Sequence, residues 1–560
     1  VSGEHGIGIT KINFLSEEKI KALKAYKREV DPRNVLNPAK LTQRELPVAP
    51  YTFSFNRLIQ DILKSGLPEK ERLINLLKNI QVCNRCGKCK QVCPMYFPEQ
   101  SFLYHPRNKN IALGGLIEAI YYSQVNRGAP DPLLMDELRK LMEHCTGCGK
   151  CTAVCPVKID TPGVTLHLRS FLEDKGSGGH PIKTRVLHYL AGNPSRRIPK
   201  AAKMAGLGQS IQNKALGLVP AIWRSRFRNP LFSGKGPEFG RVNLGETLSL
   251  ENGSMFTSKE RIALPKDNPD APQEYEAVFY FPGCGGSLFH RTIGLAGLVL
   301  LLRAGLSVVL PREHMCCGYP LLVSGCEEAF ATNQARTIYA MNKLFEDAKP
   351  EGLRIKTVVT ACGSCRDGLQ HFDLAGARTE GLKHKDVVQF LLEREPGLAL
   401  PRENMPGNLV YHGACHAEWT GVHAAKANGI YRQALEDMAG TPVTLSDKCC
   451  GESGLGALTS PAVYNTLRER KKEILVDNLS GEASDAPVIV GCPSCKVGIS
   501  RSLLAMKRPN KVLHTLEFMA QALYGPRWTA RALEAAAQAP PQGTGPRLFI
   551  MAEERAKERV

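Results

Sequence analysis

The sequence lacks the segments and fingerprints that would place it among membrane-spanning, secreted or nicotinamide-dependent proteins. Its longest apolar run, Ile293 to Leu302, is about half of the roughly 20 residues that a membrane-spanning helix requires. No signal peptide is recognisable, so nothing points to an oxidising compartment, and no glycine-rich nicotinamide fingerprint is present. We therefore expect a cytoplasmic protein with reduced cysteines that does not use NAD.

Acidic residues are missing from one long stretch of an otherwise ordinary composition. The 560 residues are 43% hydrophobic, which is typical of globular domains, and the formal net charge is +19. Much of the excess lies between Lys175 and Pro237, where twelve Lys or Arg occur and no Asp or Glu. A block of one sign attracts an acidic partner or an anionic surface, and we expect no nucleic acid.

Cysteine, in contrast, is abundant, and the odd number of nineteen argues against a disulfide framework. Eight of them form two quartets with the spacing C-x2-C-x2-C-x3-C, each followed by proline and 62 residues apart: Cys83, Cys86, Cys89, Cys93 and Cys145, Cys148, Cys151, Cys155. A structural zinc site is an alternative, but it gives no reason for two identical quartets. Disulfides are a further alternative, disfavoured by the expected compartment.

The quartets resemble the two-cluster ferredoxin pattern, in which three thiolates of one quartet hold one [4Fe-4S] cluster and the fourth reaches the other cluster. The resemblance implies one cluster on Cys83, Cys86, Cys89 and Cys155, and a second on Cys145, Cys148, Cys151 and Cys93. Apolar residues at helical spacing surround both quartets, as Leu73, Leu76 and Leu77 illustrate. We therefore expect residues 46–172 to form a helical ferredoxin domain that transfers electrons, similar to those of succinate and glycerol-3-phosphate dehydrogenases.

The first 45 residues carry a different motif. Gly-Glu-His-Gly-Ile-Gly occupies positions 3–8, a charged helix is predicted from about Ser16 to Val30, and Asp-Pro-Arg-Asn-Val-Leu-Asn-Pro follows at positions 31–38. On these residues alone a surface loop explains Glu4 and His5. The combination, however, resembles the C-terminal end of the FAD-linked oxidases, an α+β family that includes D-lactate dehydrogenases. The resemblance implies that Glu4 is a ligand of a divalent metal and that His5 contacts the hydroxyacid, both as catalytic candidates.

The chain starts at Val1, inside this motif, so we expect a fragment whose FAD-binding part lies upstream. Residues 173–270 are interpreted as a basic linker. Within it, Met204, Leu207, Ile211, Leu218 and Ile222 follow helical spacing close to several arginines. This amphipathic helix is predicted either to lie on an anionic membrane surface or to pack on the flavin domain.

From about residue 271 the pattern changes to short strands that end at cysteines, and it occurs twice. The first set is Cys284, Cys316, Cys317, Cys362 and Cys365, and the second is Cys415, Cys449, Cys450, Cys492 and Cys495, offset by 130 to 133 residues. An internal duplication is the simplest explanation. Because open α/β sheets bind ligands at the carboxyl ends of their strands, each set is expected to converge on one site. Zinc remains an alternative, whereas vicinal disulfides are disfavoured by their geometry and would leave three cysteines of each set unexplained.

The order Cys, Cys-Cys-Gly, Cys-x-x-Cys resembles the cysteine-rich CCG domain of heterodisulfide reductases and of glycolate and lactate dehydrogenase iron-sulfur subunits. In that family a complete set can hold an iron-sulfur cluster that is not a cube. We assign repeat 1 to residues 271–400, repeat 2 to 401–525 and a loosely ordered tail to 526–560. Cys326 is left as a buried apolar residue.

The predicted fold class is therefore multidomain, with the tail of an α+β FAD-linked oxidase domain, an α-helical two-cluster ferredoxin domain and a duplicated α/β CCG domain. The predicted function is transfer of electrons from the oxidation of a D-2-hydroxyacid, D-lactate above all, through FAD and [4Fe-4S] clusters to a quinone or cytochrome. The alternatives are disulfide reduction at a CCG cluster, or an electron-transfer module without a substrate of its own.

Overall fold

The computed structural model describes residues 15–38, 42–43, 55–66, 70–96, 104–179, 181–218, 234–237, 239–240, 242–258, 275–372, 382–416, 419, 422, 424–452, 460–539 and 545–551. The contacts divide the chain into two units. The first comprises Val1–Leu141 and Val154–Val164, and the second comprises Met142–Ala153 and Thr165–Val560. Glu4 and His5 lie outside the described residues.

The described part of the first unit is helical. Its helices are α1 (Glu17–Val30), α2 (Asn56–Lys64), α3 (Lys70–Gln81), α4 (Cys89–Val92), α5 (Pro106–Arg127), most of α6 (Pro132–Glu143) and the start of α8 (Thr161–Asp174). Leu58, Ile62, Leu77 and Ile80 bury the apolar faces of α2 and α3. The ring of Phe55 packs directly against Gly114 of α5. A Cβ atom at this position would lie 1.7 Å from the ring, so only glycine fits. Helical spacing thus predicted these helices correctly.

Asp31 organises the turn after α1. Its carboxylate accepts hydrogen bonds from the backbone N–H groups of Val35 and Leu36, both at 2.9 Å, and from Lys27 Nζ at 2.6 Å. Asn34 and Asn37 adopt left-handed backbone angles, with φ of 51° and 46°, which asparagine tolerates better than most residues. The motif at positions 31–38 therefore encodes a turn.

The second unit contains the remaining helices and all the strands. Its helices are α7 (Lys150–Ala153), α9 (Pro181–Gly192), α10 (Pro194–Leu218), α11 (Leu244–Leu248), α12 (Arg291–Arg303), α13 (Tyr319–Leu322), α14 (Glu327–Ala348), α15 (Gly363–Gln370), α16 (Val387–Arg394), α17 (Ala424–Ala439), α18 (Pro461–Asn478), α19 (Pro493–Ala505), α20 (Thr515–Tyr524) and α21 (Trp528–Ala537). Its strands are β1 (Met255–Thr257), β2 (Tyr275–Phe281), β3 (Ser307–Val309), β4 (Leu353–Thr360), β5 (Lys383–Asp386), β6 (Leu409–His412), β7 (Val443–Ser446), β8 (Val488–Val490), β9 (Val512–His514) and β10 (Arg547–Leu548).

Two sheets with parallel cores of matching topology show the predicted duplication. The first sheet has the order β10-β1-β3-β2-β4-β5, and the second has the order β7-β6-β8-β9. The core of the first, β3-β2-β4-β5, is parallel throughout and corresponds strand by strand to the second. The cysteine loops follow equivalent strands, so each set lies at the carboxyl edge of its sheet.

The predicted linker and tail contribute to the first sheet. Strand β1 comes from the linker and pairs antiparallel with β3, and β10 from the tail pairs parallel with β1. The buried guanidinium of Arg547 donates to the carbonyl oxygen of Ala539 at 2.7 Å and to that of Gly253 at 3.1 Å, while Trp528 is 4% exposed. The expectation of a loosely ordered terminus is wrong for the described part of the tail, because its apolar and charged groups cover repeat 1.

The longest apolar run forms a core helix. Residues 293–302 of α12 are buried against the first sheet and α20. Among the described residues no helix is long and apolar enough to cross a membrane.

The predicted amphipathic helix lies within α10, and its residues Met204, Leu207 and Ile211 are 74%, 64% and 59% exposed. Ile222 lies outside the described residues.

The turn at Asp31 generates a prediction about pH. Hydrogen bonds from Lys27 and Val35 lower the pKa of Asp31 from 3.8 to about 2. A lowered pKa means that the carboxylate stabilises the turn above its unfolded-state pKa, and this contribution is lost as the pH falls from about 4 to about 2. We expect Asp31→Ala to reduce hydrogen-exchange protection of the Val35 and Leu36 amides about tenfold at neutral pH.

In the wild type, the Val35 and Leu36 amides should lose this hydrogen-exchange protection as the pH falls from about 4 to about 2. Glu29→Gln, at an exposed position of α1, is the control and should leave both amides protected. Unchanged exchange in Asp31→Ala would contradict the role of the carboxylate.

Candidate metal centres

Four cysteines of the first unit come together as the quartet pattern predicts. The thiols of Cys83, Cys86, Cys89 and Cys155 are close enough for the charge of one to raise the pKa of another. Burial is the largest cause of the raised pKa of Cys83 and Cys89. Left-handed residues Arg85 and Gly87, with φ of 59° and 79°, turn the loop around the thiols. A set of four thiols from this spacing fits a [4Fe-4S] cluster.

Three cysteines of the other quartet belong to the second unit. Cys145, Cys148 and Cys151 lie on a loop that turns at Gly147 and Gly149, and the Gly147 N–H lies 3.4 Å from Cys145 Sγ as a donor. Burial raises the pKa of Cys148. Cys93 belongs to the first unit, so its assignment to this cluster remains a prediction.

Arg169 of α8 holds this loop against repeat 1 within the second unit. Its guanidinium donates to the carbonyl oxygens of Met142 at 2.7 Å, Cys145 at 2.8 Å and Val323 at 2.6 Å. These bonds explain why Met142–Ala153 groups with the α/β part of the chain, although the predicted ferredoxin domain was continuous over residues 46–172.

The five cysteines of repeat 1 converge at the carboxyl ends of β2 and β4. The Cys284 thiol donates to Cys316, and Gly318 N–H lies 3.4 Å from the same sulfur, so the pKa of Cys316 is lowered while that of Cys284 is raised. Cys365 contacts both Cys317 and Cys362. All five predicted residues therefore meet in one cluster.

Repeat 2 reproduces this arrangement. The Cys415 thiol donates to Cys449, Gly451 N–H lies 3.4 Å from Cys449 Sγ, and the pKa of Cys449 is lowered accordingly. The sulfurs of Cys450 and Cys495 are 3.7 Å apart, and Cys495 contacts Cys492. Such identical contacts support the duplication at the level of single atoms.

The glycine after each Cys-Cys pair is required by the backbone. Gly318 and Gly451 have φ of 72° and 71°, in the left-handed region. A Cβ atom at Gly318 would lie 2.7 Å from the Phe330 ring, and one at Gly451 would lie 3.0 Å from Arg468. Glycine therefore allows the loop to point its backbone N–H at the cysteine sulfur.

The two sets form one continuous row of sulfur atoms. Cys362 of repeat 1 and Cys492 of repeat 2 are 3.9 Å apart, which joins the sets at their Cys-x-x-Cys motifs. At the other end of repeat 2, Cys415 lies close enough to Cys148 for their charges to interact. Within the second unit the row runs from Cys148 through repeat 2 to Cys284 in repeat 1.

A buried polar network lies beside this row. The Tyr319 hydroxyl is 2.9 Å from His416 Nε2 and 3.4 Å from the Thr146 carbonyl oxygen, and His416 Nδ1 bonds to Asp367. Each of these side chains follows a cysteine motif by one or two positions. That proximity in sequence was the only signal for them, and the spacing of the cysteines did not predict them.

Charged side chains distinguish the surroundings of the two repeats. Lys471 is fully buried, donates to Ser446 Oγ at 2.7 Å and lies near Cys449, Cys450 and Cys495, whose charges favour its protonated form. Burial lowers its pKa to about 7. In repeat 1 the carbonyl oxygen of Cys316 instead accepts from the neutral groups of Asn333 and Thr337.

The donor sets fit metal centres. All nineteen cysteines lie in the described part of the chain, and none of them forms a disulfide, including the adjacent pairs Cys316–Cys317 and Cys449–Cys450. Vicinal disulfides are therefore not formed. Thiolates suit iron-sulfur clusters and zinc alike, so the chemistry of the sulfur atoms does not distinguish the two metals. Cys326 is buried as predicted, and it also lies within 4.8 Å of ligand atoms of Glu173 and His188.

A cavity of about 480 Å³ opens beside Cys284. Leu250, Phe281, Leu288 and Met315 contribute apolar walls, and Ser195 and Arg196 of α10 line it too. His314 separates it from the thiol, with Nε2 3.4 Å from Cys284 Sγ and Nδ1 3.3 Å from Ser287 Oγ. A small molecule in the cavity would therefore lie against His314, one side chain away from the repeat 1 end of the sulfur row.

Three family matches coincide with these structural parts. Residues 1–41 match the C-terminal domain of FAD-linked oxidases, residues 79–159 match the 4Fe-4S dicluster domain, and residues 278–370 and 409–500 each match the cysteine-rich CCG domain. The predicted family relationship and fold class are confirmed. No solved structure matches the chain.

Several characterised and inferred redox proteins are similar over long stretches. A probable glycolate oxidase iron-sulfur subunit of Bacillus subtilis is 25% identical over 80% of this chain and 94% of its own length. One subunit of the dihydromethanophenazine:CoB–CoM heterodisulfide reductase of Methanosarcina barkeri is 23% identical over 80% of this chain and 95% of its own length. Lactate utilization protein A of Bacillus pumilus is 23% identical over 43% of this chain and 98% of its own length.

The grouping of Cys83, Cys86, Cys89 and Cys155 generates a prediction about iron. We expect Cys155→Ser to remove about four iron atoms per chain and one cubane signal in electron paramagnetic resonance, because a [4Fe-4S] cluster would lose a ligand. Cys326→Ser is the matched control, since this buried cysteine lies outside the sets, and it should retain all the iron. Equal iron in both variants would rule out Cys155 as a ligand.

Proposed function

We propose that this chain is the electron-transfer part of an FAD-dependent dehydrogenase that oxidises D-2-hydroxyacids, with D-lactate as the substrate. The observation that carries the proposal is the combination in one chain of an FAD-linked oxidase match with a dicluster domain and a duplicated cysteine-rich domain. FAD accepts a hydride equivalent and iron-sulfur clusters carry single electrons, so the combination divides a two-electron oxidation into one-electron steps.

Glu4 and His5 are proposed to act at the hydroxyacid. His5 would take the proton of the substrate hydroxyl while the hydrogen on the same carbon leaves as hydride, and the products are a 2-oxoacid and reduced flavin. Glu4 would bind a divalent cation that neutralises the substrate carboxylate. This assignment is supported by the FAD-linked oxidase match, which includes both residues.

The row of sulfur atoms supports a direction for the electrons. Cys148 of the dicluster domain neighbours Cys415, whereas Cys284 lies at the far end, near the cavity. We infer that electrons enter repeat 2 first and leave from repeat 1. The 3.9 Å contact between Cys362 and Cys492 would keep the two centres close enough for fast transfer.

The cavity beside Cys284 supports a quinone as the acceptor. Its charged lining consists of Arg196, Arg312, Glu246, Glu251 and Glu313, that is, two guanidinium groups and three carboxylates. Arg312 is also paired with Asp347 at 3.1 Å. This balance disfavours an anionic acceptor, while the apolar walls suit a planar neutral ring. A quinone bound there would accept two electrons from the repeat 1 centre and two protons from water at the cavity mouth. It would leave as the quinol.

The exposed face of α10 supports contact with a membrane that would hold such a quinone. Met204, Leu207 and Ile211 present apolar side chains to solvent within the block that contains no acidic residue. Ser195 and Arg196, at the start of the same helix, line the cavity. A basic helix with an apolar face binds anionic lipid through both properties, so we propose peripheral membrane association.

Disulfide reduction is the second candidate function. The similarity to part of a heterodisulfide reductase favours it, as does the junction of the two cysteine sets at Cys362 and Cys492. An electron-transfer module without its own substrate is the third. Reduction of the clusters by D-lactate in the presence of the flavin-binding part distinguishes the first candidate from both others.

The hydroxyacid site is tested by His5→Ala in a preparation that includes the flavin-binding part. We expect D-lactate turnover to fall by about a hundredfold or more, since general base catalysis contributes at least that factor, while dithionite still reduces every cluster. Lys21→Ala, at an exposed position of α1, is the control and should retain turnover. Full turnover in His5→Ala would disprove the role of His5.

The exit site is tested by filling the cavity with Ser195→Trp. After reduction with dithionite, we expect reoxidation by a short-chain quinone to slow about tenfold, because the ring can no longer enter. Ser480→Trp, at an exposed serine away from the cavity, should react like the wild type. Met204→Gln with Leu207→Gln should slow only the reaction with long-chain quinone held in anionic vesicles.

A neutral naphthoquinone should react faster than its sulfonated analogue if the charge of the lining selects the acceptor. Equal rates for Ser195→Trp and wild type with every quinone would place the exit elsewhere. If the reduced wild type and Ser195→Trp then both react rapidly with cytochrome c, a cytochrome is favoured as the acceptor.

A further inference from the structure

His412 is a buried histidine that the proposed function does not use. It is the last residue of β6, three positions before Cys415, and its side chain is 0% exposed. Neither ring nitrogen makes a hydrogen bond of ordinary distance and angle among the described residues, although the backbone of Ser446 lies near the ring. A buried polar group without a well-formed hydrogen bond costs free energy, and an ion bound to it is one explanation.

Two cysteines of repeat 2 face this imidazole. One ring nitrogen of His412, Cys450 Sγ and Cys495 Sγ all lie within 4.8 Å of one another. Burial keeps the pKa of His412 well below its ordinary value, and Lys471 and Lys150 act in the same direction. At these distances the nitrogen and the two sulfurs can share one metal ion. Neutral imidazole and thiolate are the usual soft and borderline ligands of iron and zinc.

Repeat 1 offers an internal comparison. Three positions before Cys284 stands Phe281, the last residue of β2 and only 1% exposed. The two residues hold equivalent places at the carboxyl ends of equivalent strands, because β2 and β6 correspond in the two sheets. Phenylalanine cannot bind a metal. The duplicated sites therefore differ by one potential nitrogen ligand at the same place.

We propose that His412 is a nitrogen ligand of the metal centre in repeat 2, beside Cys450 and Cys495, whereas Phe281 leaves the same place in repeat 1 without a ligand. This inference rests on the proposed function in one respect, namely that repeat 2 binds a metal centre. A neutral nitrogen in place of a thiolate makes a centre easier to reduce, as histidine ligation does in Rieske clusters.

The first experiment needs no substitution. The full chain is prepared anaerobically with natural histidine and with [15N]histidine, and pulsed electron paramagnetic resonance is recorded in oxidised and reduced states. We expect a nitrogen coupling of metal-ligand size that changes with the isotope. If zinc occupies repeat 2, X-ray absorption at the zinc edge should show one nitrogen neighbour together with sulfur. A repeat 2 centre with sulfur neighbours only would overturn the inference.

The second experiment identifies the histidine. His412→Phe copies the residue of repeat 1 and should abolish the nitrogen signal and lower the midpoint potential of one centre, with the others unchanged. His290→Phe is the control, because His290 also has a ring nitrogen without a partner but does not belong to a metal-binding group among the described residues. Persistence of the signal in His412→Phe would assign the nitrogen to another residue and overturn the inference.

Cys450→Ser separates this inference from the proposed function. If the variant retains the metal content of the wild type, repeat 2 binds no metal through its cysteine set and the proposed function fails. If the content falls while the wild type shows no histidine coupling, the metal centre stands and only the ligand role of His412 is wrong.

Discussion

Thiolates that lie close together in a buried site repel one another, and the structure depends on a counter-charge that offsets this repulsion. Hydrogen bonds to neighbouring cysteines, followed by burial, raise the pKa of Cys284, Cys415 and Cys495, so without a counter-charge these groups stay protonated. Metal ions supply that counter-charge most directly. The loops can bring the sulfurs together only because parallel strands end at a common edge, where glycine after each Cys-Cys pair turns the backbone tightly.

Duplication produced two similar sites, and the differences between them carry functional information. The hydrogen bonds from Gly318 and Gly451 to cysteine sulfur are alike at 3.4 Å. Around these shared contacts, however, repeat 2 has buried Lys471 and His412, while repeat 1 has the cavity and the covering strands β1 and β10. The two repeats thus share their cysteine geometry and differ in the side chains and strands around it.

Much of the fold was predictable because it depends on local patterns. The helical spacing around the quartets predicted the first unit, and the short strands expected to end at cysteines are found in both sheets. The docking of the tail was not predictable. The Arg547 guanidinium donates a hydrogen bond to the carbonyl oxygen of Gly253, far away in the sequence, and no periodicity of the tail indicates that contact.

The sequence by itself determined which cysteines form sets and how they group, since cysteine spacing is a local property that loop geometry must respect. It also determined the duplication and the FAD-linked oxidase motif. Only the tertiary structure decided that Cys148 neighbours Cys415, that Cys362 meets Cys492, and that His412 faces two thiols. The physical reason is that packing of one strand edge against another joins residues more than a hundred positions apart, which no spacing within a motif encodes.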